Sequence, residues 1–179
     1  MWKEVFEREW EKRPGASQEE MNAFMQTWND PLSAQELQEI RERQKNPFPK
    51  SSPFHDKYVP LDPSSWSFPT HILPDSYVQF LAYSNGGEFQ NGDRTFQFFG
   101  THDFREMNLA YEFAEYMPGS VSFAMDGNGN HYIFDMREGP RDGEYPILVA
   151  HSGNLGYEDC IHVADTLLEL CRGTDEIEL

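Results

Sequence analysis

Cysteine is scarce in this chain of 179 residues. Cys160 and Cys171 are the only two, and they show no metal-like pair spacing. That excludes a disulfide framework and a zinc ribbon, and two reduced thiols are the ordinary state of a cytoplasmic protein. Long hydrophobic runs are also missing. No segment approaches the roughly 18 apolar residues that span a bilayer, and the first twenty residues carry too many Lys, Arg and Glu for a secretory signal. The third scarcity is positive charge, with 14 Lys and Arg against 31 Asp and Glu, a net of −17. The deficit is uneven. Residues 1–50 hold 8 cations and 10 anions, whereas residues 51–179 hold 6 and 21, a net of −15. Such a surface repels nucleic acid and anionic lipid and speeds encounter with basic proteins.

Catalytic templates are missing too. There is no Gly-x-Ser-x-Gly elbow, no Gly-Lys-Ser/Thr phosphate loop and no Gly-x-Gly-x-x-Gly. The six histidines show neither His-x-His nor i, i+4 spacing. Asp126-Gly127-Asn128-Gly129-Asn130 opens like a calcium loop, but the sixth position is His131 rather than Gly and the twelfth is Arg137 rather than Glu. It reads as a tight turn between two strands. The expectation is a protein without catalysis, cofactor or metal.

What is present is aromatic. Phe, Trp and Tyr make up 15% of the chain, enough to fill a well-packed core without disulfides at this length. Residues 1–46 read as a helical extension. Trp2, Val5, Phe6 and Trp10 recur near helical spacing. Ser17-Gln18-Glu19-Glu20 and Ser33-Ala34-Gln35-Glu36 are capping boxes, each ahead of an apolar stripe. Residues 47–72 form a Pro-rich strap, irregular because proline fixes φ and lacks a donor. Its rings Phe48, Phe54, Tyr58, Trp66 and Phe68 are expected to insert into the domain. Residues 73–179 form the main domain, and all three parts are expected to make one structural unit.

The most informative stretch runs from Leu73 to Gly87. Pro74 suits a helix start, and Asp75 favours the positive end of the helix dipole. Tyr77, Phe80, Leu81 and Ser84 fall at i, i+3, i+4, i+7, and Asn85-Gly86-Gly87 supplies the left-handed exit. A hairpin over 88–99 follows around Asn91-Gly92, then a helix from His102 to about Met117 stopped by Pro118-Gly119. Strands are expected over 121–125, 131–135 and 145–150, and a closing helix over 163–171. The pattern predicts an α+β fold with a largely antiparallel twisted sheet flanked by helices.

Leu73, Pro74, Tyr77, Phe80, Leu81, Asn85, Gly86 and Gly87, then Phe99-Gly100, then Asp126, Gly127 and Gly129 stand in an order that resembles the SMI1/KNR4 family, or SUKH superfamily. The resemblance covers roughly residues 68–172. Asn130 departs from it, because an Asp is common there. It implies a non-enzymatic bacterial immunity protein whose partner is a cognate polymorphic toxin, many such toxins being nucleases. A nuclease must present Lys and Arg to hold phosphate, and an acidic partner can cover that cleft. The carboxylates offered for docking are Glu112 and Glu115 on a helix, Asp142 and Glu144 in a Gly-rich loop, and Glu158 and Asp159 in a later turn. Two other readings stay open: a regulatory scaffold, as for eukaryotic relatives, and a small hydrolase or metal-dependent enzyme.

Overall fold

A computed structural model describes residues 1–179. Seven strands form one open sheet in simple sequence order, and every neighbouring pair is antiparallel. They are β1 (Arg8–Lys12), β2 (Gly87–Asn91), β3 (Arg94–Phe98), β4 (Ser120–Met125), β5 (Asn130–Asp135), β6 (Ile147–His151) and β7 (Ile161–Ala164). The helices are α1 (Gln18–Thr27), α2 (Ala34–Arg43), α3 (Asp75–Tyr83), α4 (Phe104–Ala110), α5 (Phe113–Tyr116) and α6 (Leu167–Arg172). The fold is therefore α+β.

Local chemistry explains the helix starts. Ser17 and Ser33 each accept a hydrogen bond from the N–H three residues on, and Glu20 and Glu36 reach back to the capping N–H groups. α3 lays Tyr77, Phe80 and Leu81, all fully buried, across the sheet. At roughly 1.5–3 kcal/mol per buried large apolar side chain, this stripe is a main source of stability. Its ring partners on the sheet are Phe89, Phe98, Phe123 and Phe134. Phe80 and Phe98 approach to 4.1 Å between ring centroids, and the Tyr77 hydroxyl donates to the Phe99 carbonyl at 2.6 Å.

The corner after α3 tolerates no side chain. Gly86 and Gly87 have φ of +86° and +108°. A Cβ on Gly87 would lie 2.0 Å from the Glu11 carbonyl oxygen of β1. Asn85 completes the corner: its Oδ1 accepts from Thr101 N at 2.7 Å, and its own N–H donates to Pro14 O at 3.1 Å.

Four local expectations give way to packing. The chain around Trp2–Trp10 is a single 3₁₀ turn followed by β1, not a helix. The N–H and C=O groups of β2 need a partner on that side, and strand pairing overrides the weak helical spacing. Trp2, Val5 and Phe6 still reach the core, whereas Trp10 is 58% exposed. Second, the helix expected over 102–117 breaks at Glu112, whose φ of +59° is left-handed. The break turns Phe113 and Met117 onto the opposite sheet face, against Ile133, Leu148 and Ala150. Third, residues 161–164 pair with β6 as a strand, and the closing helix begins at Leu167 behind a Thr166 cap. Fourth, Trp66 and Phe68 of the strap are buried, but Phe48 and Phe54 stay outside.

The sheet splays between β3 and β4. Their register holds only two pairs, Gln97↔Met125 and Phe98↔Ala124. Phe99 N still donates to Phe123 O at 2.9 Å, and beyond that bond Asn108 of α4 stands in for a strand. Its amide donates to the carbonyls of Ser122 and Phe104 at 2.9 Å each, and its Oδ1 accepts from Ser122 N at 2.8 Å. Asn108 is 2% exposed. Replacing it with Ala would strand two backbone groups of Ser122 away from water, at about 1–3 kcal/mol for each such group. We expect Asn108→Ala to lower stability by about 2–4 kcal/mol. Urea unfolding would show this as a reduced midpoint at unchanged slope.

Candidate docking surface

The Gly-rich loop between β5 and β6 folds back on itself at Arg141–Glu144. The two residues exchange backbone hydrogen bonds of 2.9 and 3.0 Å, and both Asp142 and Gly143 have positive φ. This is the pattern of a type I′ turn, and it leaves the Asp142 side chain exposed. Glu144 turns inward, and its Oε2 accepts from Leu167 N at 3.3 Å at the start of α6. There it satisfies an end group of the helix and complements its dipole.

Glu158 and Asp159 follow Tyr157 in the loop before β7. The Tyr157 hydroxyl donates to Pro118 O at 2.8 Å and lies 2.7 Å from Ser120 Oγ, fixing this loop to the end of α5. Its ring carries the Arg137 guanidinium at 3.7 Å. Asp135 grips the same guanidinium with two bonds of 2.9 Å. Burial alone would raise the Asp135 carboxyl, but the Arg137 hydrogen bonds outweigh it and hold the group low. Glu158 and Asp159 are exposed.

Glu112 and Glu115 have internal work. Glu112 accepts from Gln44 Nε2 at 3.2 Å, and Glu115 accepts from the Trp66 indole N–H at 2.7 Å. Glu112 fastens the start of α5 to the end of α2, and Glu115 fastens α5 to the strap. Burial, followed by the two carboxylates, raises the nearby Tyr116 hydroxyl. The six residues therefore separate into three groups. Asp142, Glu158 and Asp159 face solvent with no internal bond, Glu115 is exposed but accepts from Trp66, and Glu112 and Glu144 are half-buried and each accept an internal bond. No hydrogen bond ties the solvent-facing three to one another.

Two features carried no signal in the sequence. Arg105 is a hub between α4 and the N-terminal helices. It bonds Glu36 twice, at 2.8 and 2.9 Å, and reaches the carbonyls of Trp28, Asp30 and Pro31. Its hydrogen bonds hold Glu36 down at about 2. Beside it, hollows of about 490, 350 and 290 Å³ meet at His102. The second feature is His131, fully buried under Tyr111 and Phe113 at ring distances of 4.4 and 5.1 Å. Its Nδ1 lies 2.7 Å from Ser122 Oγ, and its Nε2 has no partner. Burial pushes its pKa down to about 4. No three His, Cys, Asp or Glu side chains are grouped to hold a metal ion, and no helix is long and apolar enough to cross a membrane.

The Asp126 turn is held by its own carboxylate, which accepts from the N–H groups of Asn128 and Asn130 at 2.8 and 3.0 Å. With the Leu-Pro helix, the Asn-Gly-Gly corner and this turn in place, the chain is an open-sheet α+β domain of net charge −17. It belongs to the SMI1/KNR4 family (SUKH-1), whose model matches residues 71–172. Members of that family are known as immunity-protein-like and are generally non-enzymatic. No curated protein matches the chain.

His131 and Glu36 give acid sensitivity in separate windows. His131 has a folded pKa of about 4 against an ordinary 6.5, so the unfolded chain takes up its proton first. Its contribution is complete above pH 6.5 and is lost as pH falls toward 4, up to about 3 kcal/mol. Glu36 contributes fully above 4.5 and loses this as pH falls toward 2. Urea midpoints measured across pH are expected to show both declines. His131→Leu should remove the upper decline and Glu36→Gln the lower one.

Proposed function

We propose that this protein is a cytoplasmic immunity protein without enzymatic activity. It binds a cognate basic toxin, with a nuclease as the leading class, and neutralises it by covering its active cleft. The observation that carries this reading is the net of −15 in residues 51–179, in a chain that belongs to the SMI1/KNR4 family. A cleft that holds phosphate must be positive, and a complementary negative surface both finds it quickly and blocks it. Asp142, Glu158 and Asp159 supply the steering charge, since they stand exposed. Glu112, Glu115 and Glu144 lie within the same acidic part of the chain but mainly hold α5 and α6 in place.

Rim charges act chiefly on association rate and its salt dependence. Asp142→Asn, Glu158→Gln and Asp159→Asn together are expected to slow association roughly tenfold at low salt. The difference should shrink as ionic strength rises. The partner for this measurement is a basic toxin domain sought among the products of the neighbouring genes. Glu112→Gln is the control, because Glu112 is half-buried against Gln44: it should lower stability and leave the association rate unchanged. Equal rates for wild type and the triple variant at low salt would move the interface away from these residues.

A further inference from the structure

One segment reverses the sign of the whole molecule. Residues 43–57 carry Arg43, Lys45, Lys50 and Lys57 against Asp56 alone, which leaves +3 there and −20 over the rest of the chain. The segment is built rather than loose. Asn46 Nδ2 donates to His55 O at 2.9 Å, Asn46 Oδ1 accepts from Phe48 N at 3.0 Å, and His55 Nδ1 lies 2.9 Å from Phe48 O. Pro47, Pro49 and Pro53 stiffen it further. Leu61 N returns to Gln44 Oε1 at 3.4 Å and closes the base of the loop. Its apolar groups point outward. Phe48 and Phe54 are 39% and 53% exposed with ring centroids 5.5 Å apart, and Val59 is 79% exposed. The Lys57 ammonium stands 5.7 Å from the Phe54 ring. A preordered apolar centre with a cationic rim has the composition of an interface, where ordering costs have already been met.

The complement lies on the same chain. Glu158 and Asp159 are exposed, and beside them Leu155 is half-buried and Ile161 is 37% exposed. That surface offers two exposed carboxylates beside the partly exposed Ile161, with Arg137 held against Tyr157 and paired with Asp135, so its free charge is opposite in sign to the strap. We propose that the Phe48–Phe54 tip docks on the Glu158–Asp159 surface of a second copy, in a two-fold dimer that makes this contact twice. A closed two-fold arrangement uses both surfaces of each copy and leaves no open end. Repulsion between the two acidic bodies is screened beyond about 8 Å at physiological salt, so the local signs decide the contact. If the proposed function holds, the second copy and the toxin compete for one surface. The dimer itself does not depend on that reading.

Sedimentation equilibrium of the full chain at high micromolar concentration tests this. Wild type is expected to self-associate to twice the chain mass. Lys45→Glu/Lys50→Glu/Lys57→Glu should weaken association roughly a hundredfold, because like charges then face each other in both contacts. Phe54→Ser should weaken it without any change of charge. Glu158→Lys/Asp159→Lys should also dissociate, yet an equimolar mixture with the triple Glu variant should restore a dimer, because both of its contacts are again complementary. All these positions are exposed, and unchanged circular dichroism checks that each variant folds. A monomeric wild type, a dimer indifferent to the strap variants, or no rescue in the mixture overturns the proposal. So does a monomer that sediments with phosphatidylserine-rich vesicles, which would give the tip to lipid instead.

Discussion

Everything in this fold is arranged around one corner where four segments meet with no room for side chains. α3 ends at Asn85-Gly86-Gly87, β1 passes behind Gly87, and Gly100 leads out of β3 toward α4. A Cβ on Gly100 would lie 2.6 Å from the Asn85 carbonyl oxygen, and one on Gly86 would lie 2.9 Å from Gly100 N. Positive φ at two successive residues is inexpensive only for glycine. The corner also anchors the N-terminal segment. Arg13 N donates to Ser84 Oγ at 3.0 Å, and Ala16 N donates to Leu81 O at 2.8 Å. Residues that precede the family match are thereby stitched to its first helix, and they supply the sheet with its edge strand.

The second constraint is the splay between β3 and β4. Asn108 satisfies the exposed edge of β4, and the left-handed Glu112 then swings α5 across it. This placement buries His131 and brings Phe113 and Met117 over the far face. It also positions the Tyr157 loop, whose next two residues are among the exposed carboxylates. Surface charge on this part of the molecule is thus set by how the backbone crosses the sheet. Loops positioned by a rigid scaffold are the usual carriers of binding function.

Much of this was legible in the sequence where local chemistry and tertiary packing agree. The two Ser capping boxes, the Tyr77-Phe80-Leu81 stripe and the glycine corner depend on short-range geometry, so spacing alone revealed them. The misread elements depend on long-range pairing. β1 and β7 lie at the two edges of the sheet, and each is a strand because its neighbour offers unpaired backbone groups, which no local pattern records. The break at Glu112 is similar, because a non-glycine residue gives no warning of positive φ. Among the acidic residues, sequence identified charge but not engagement. Trp66 bonding Glu115 spans 49 positions, and Gln44 bonding Glu112 spans 68. Arg105 was equally hidden, because its five bonds run to residues 69 to 77 positions away.

Under the proposed function, this protein acts by occupying a partner rather than by changing it. Stoichiometry separates those two modes. Titrating the purified protein into a fixed amount of a cognate toxin domain, and measuring the toxin activity that remains, gives the direct answer. The account predicts a sharp end point at one equivalent of this chain per toxin, with activity restored when the complex is dissociated. Protection by far less than one equivalent, or activity that stays lost after separation, would mean that the protein modifies its target and would contradict the account.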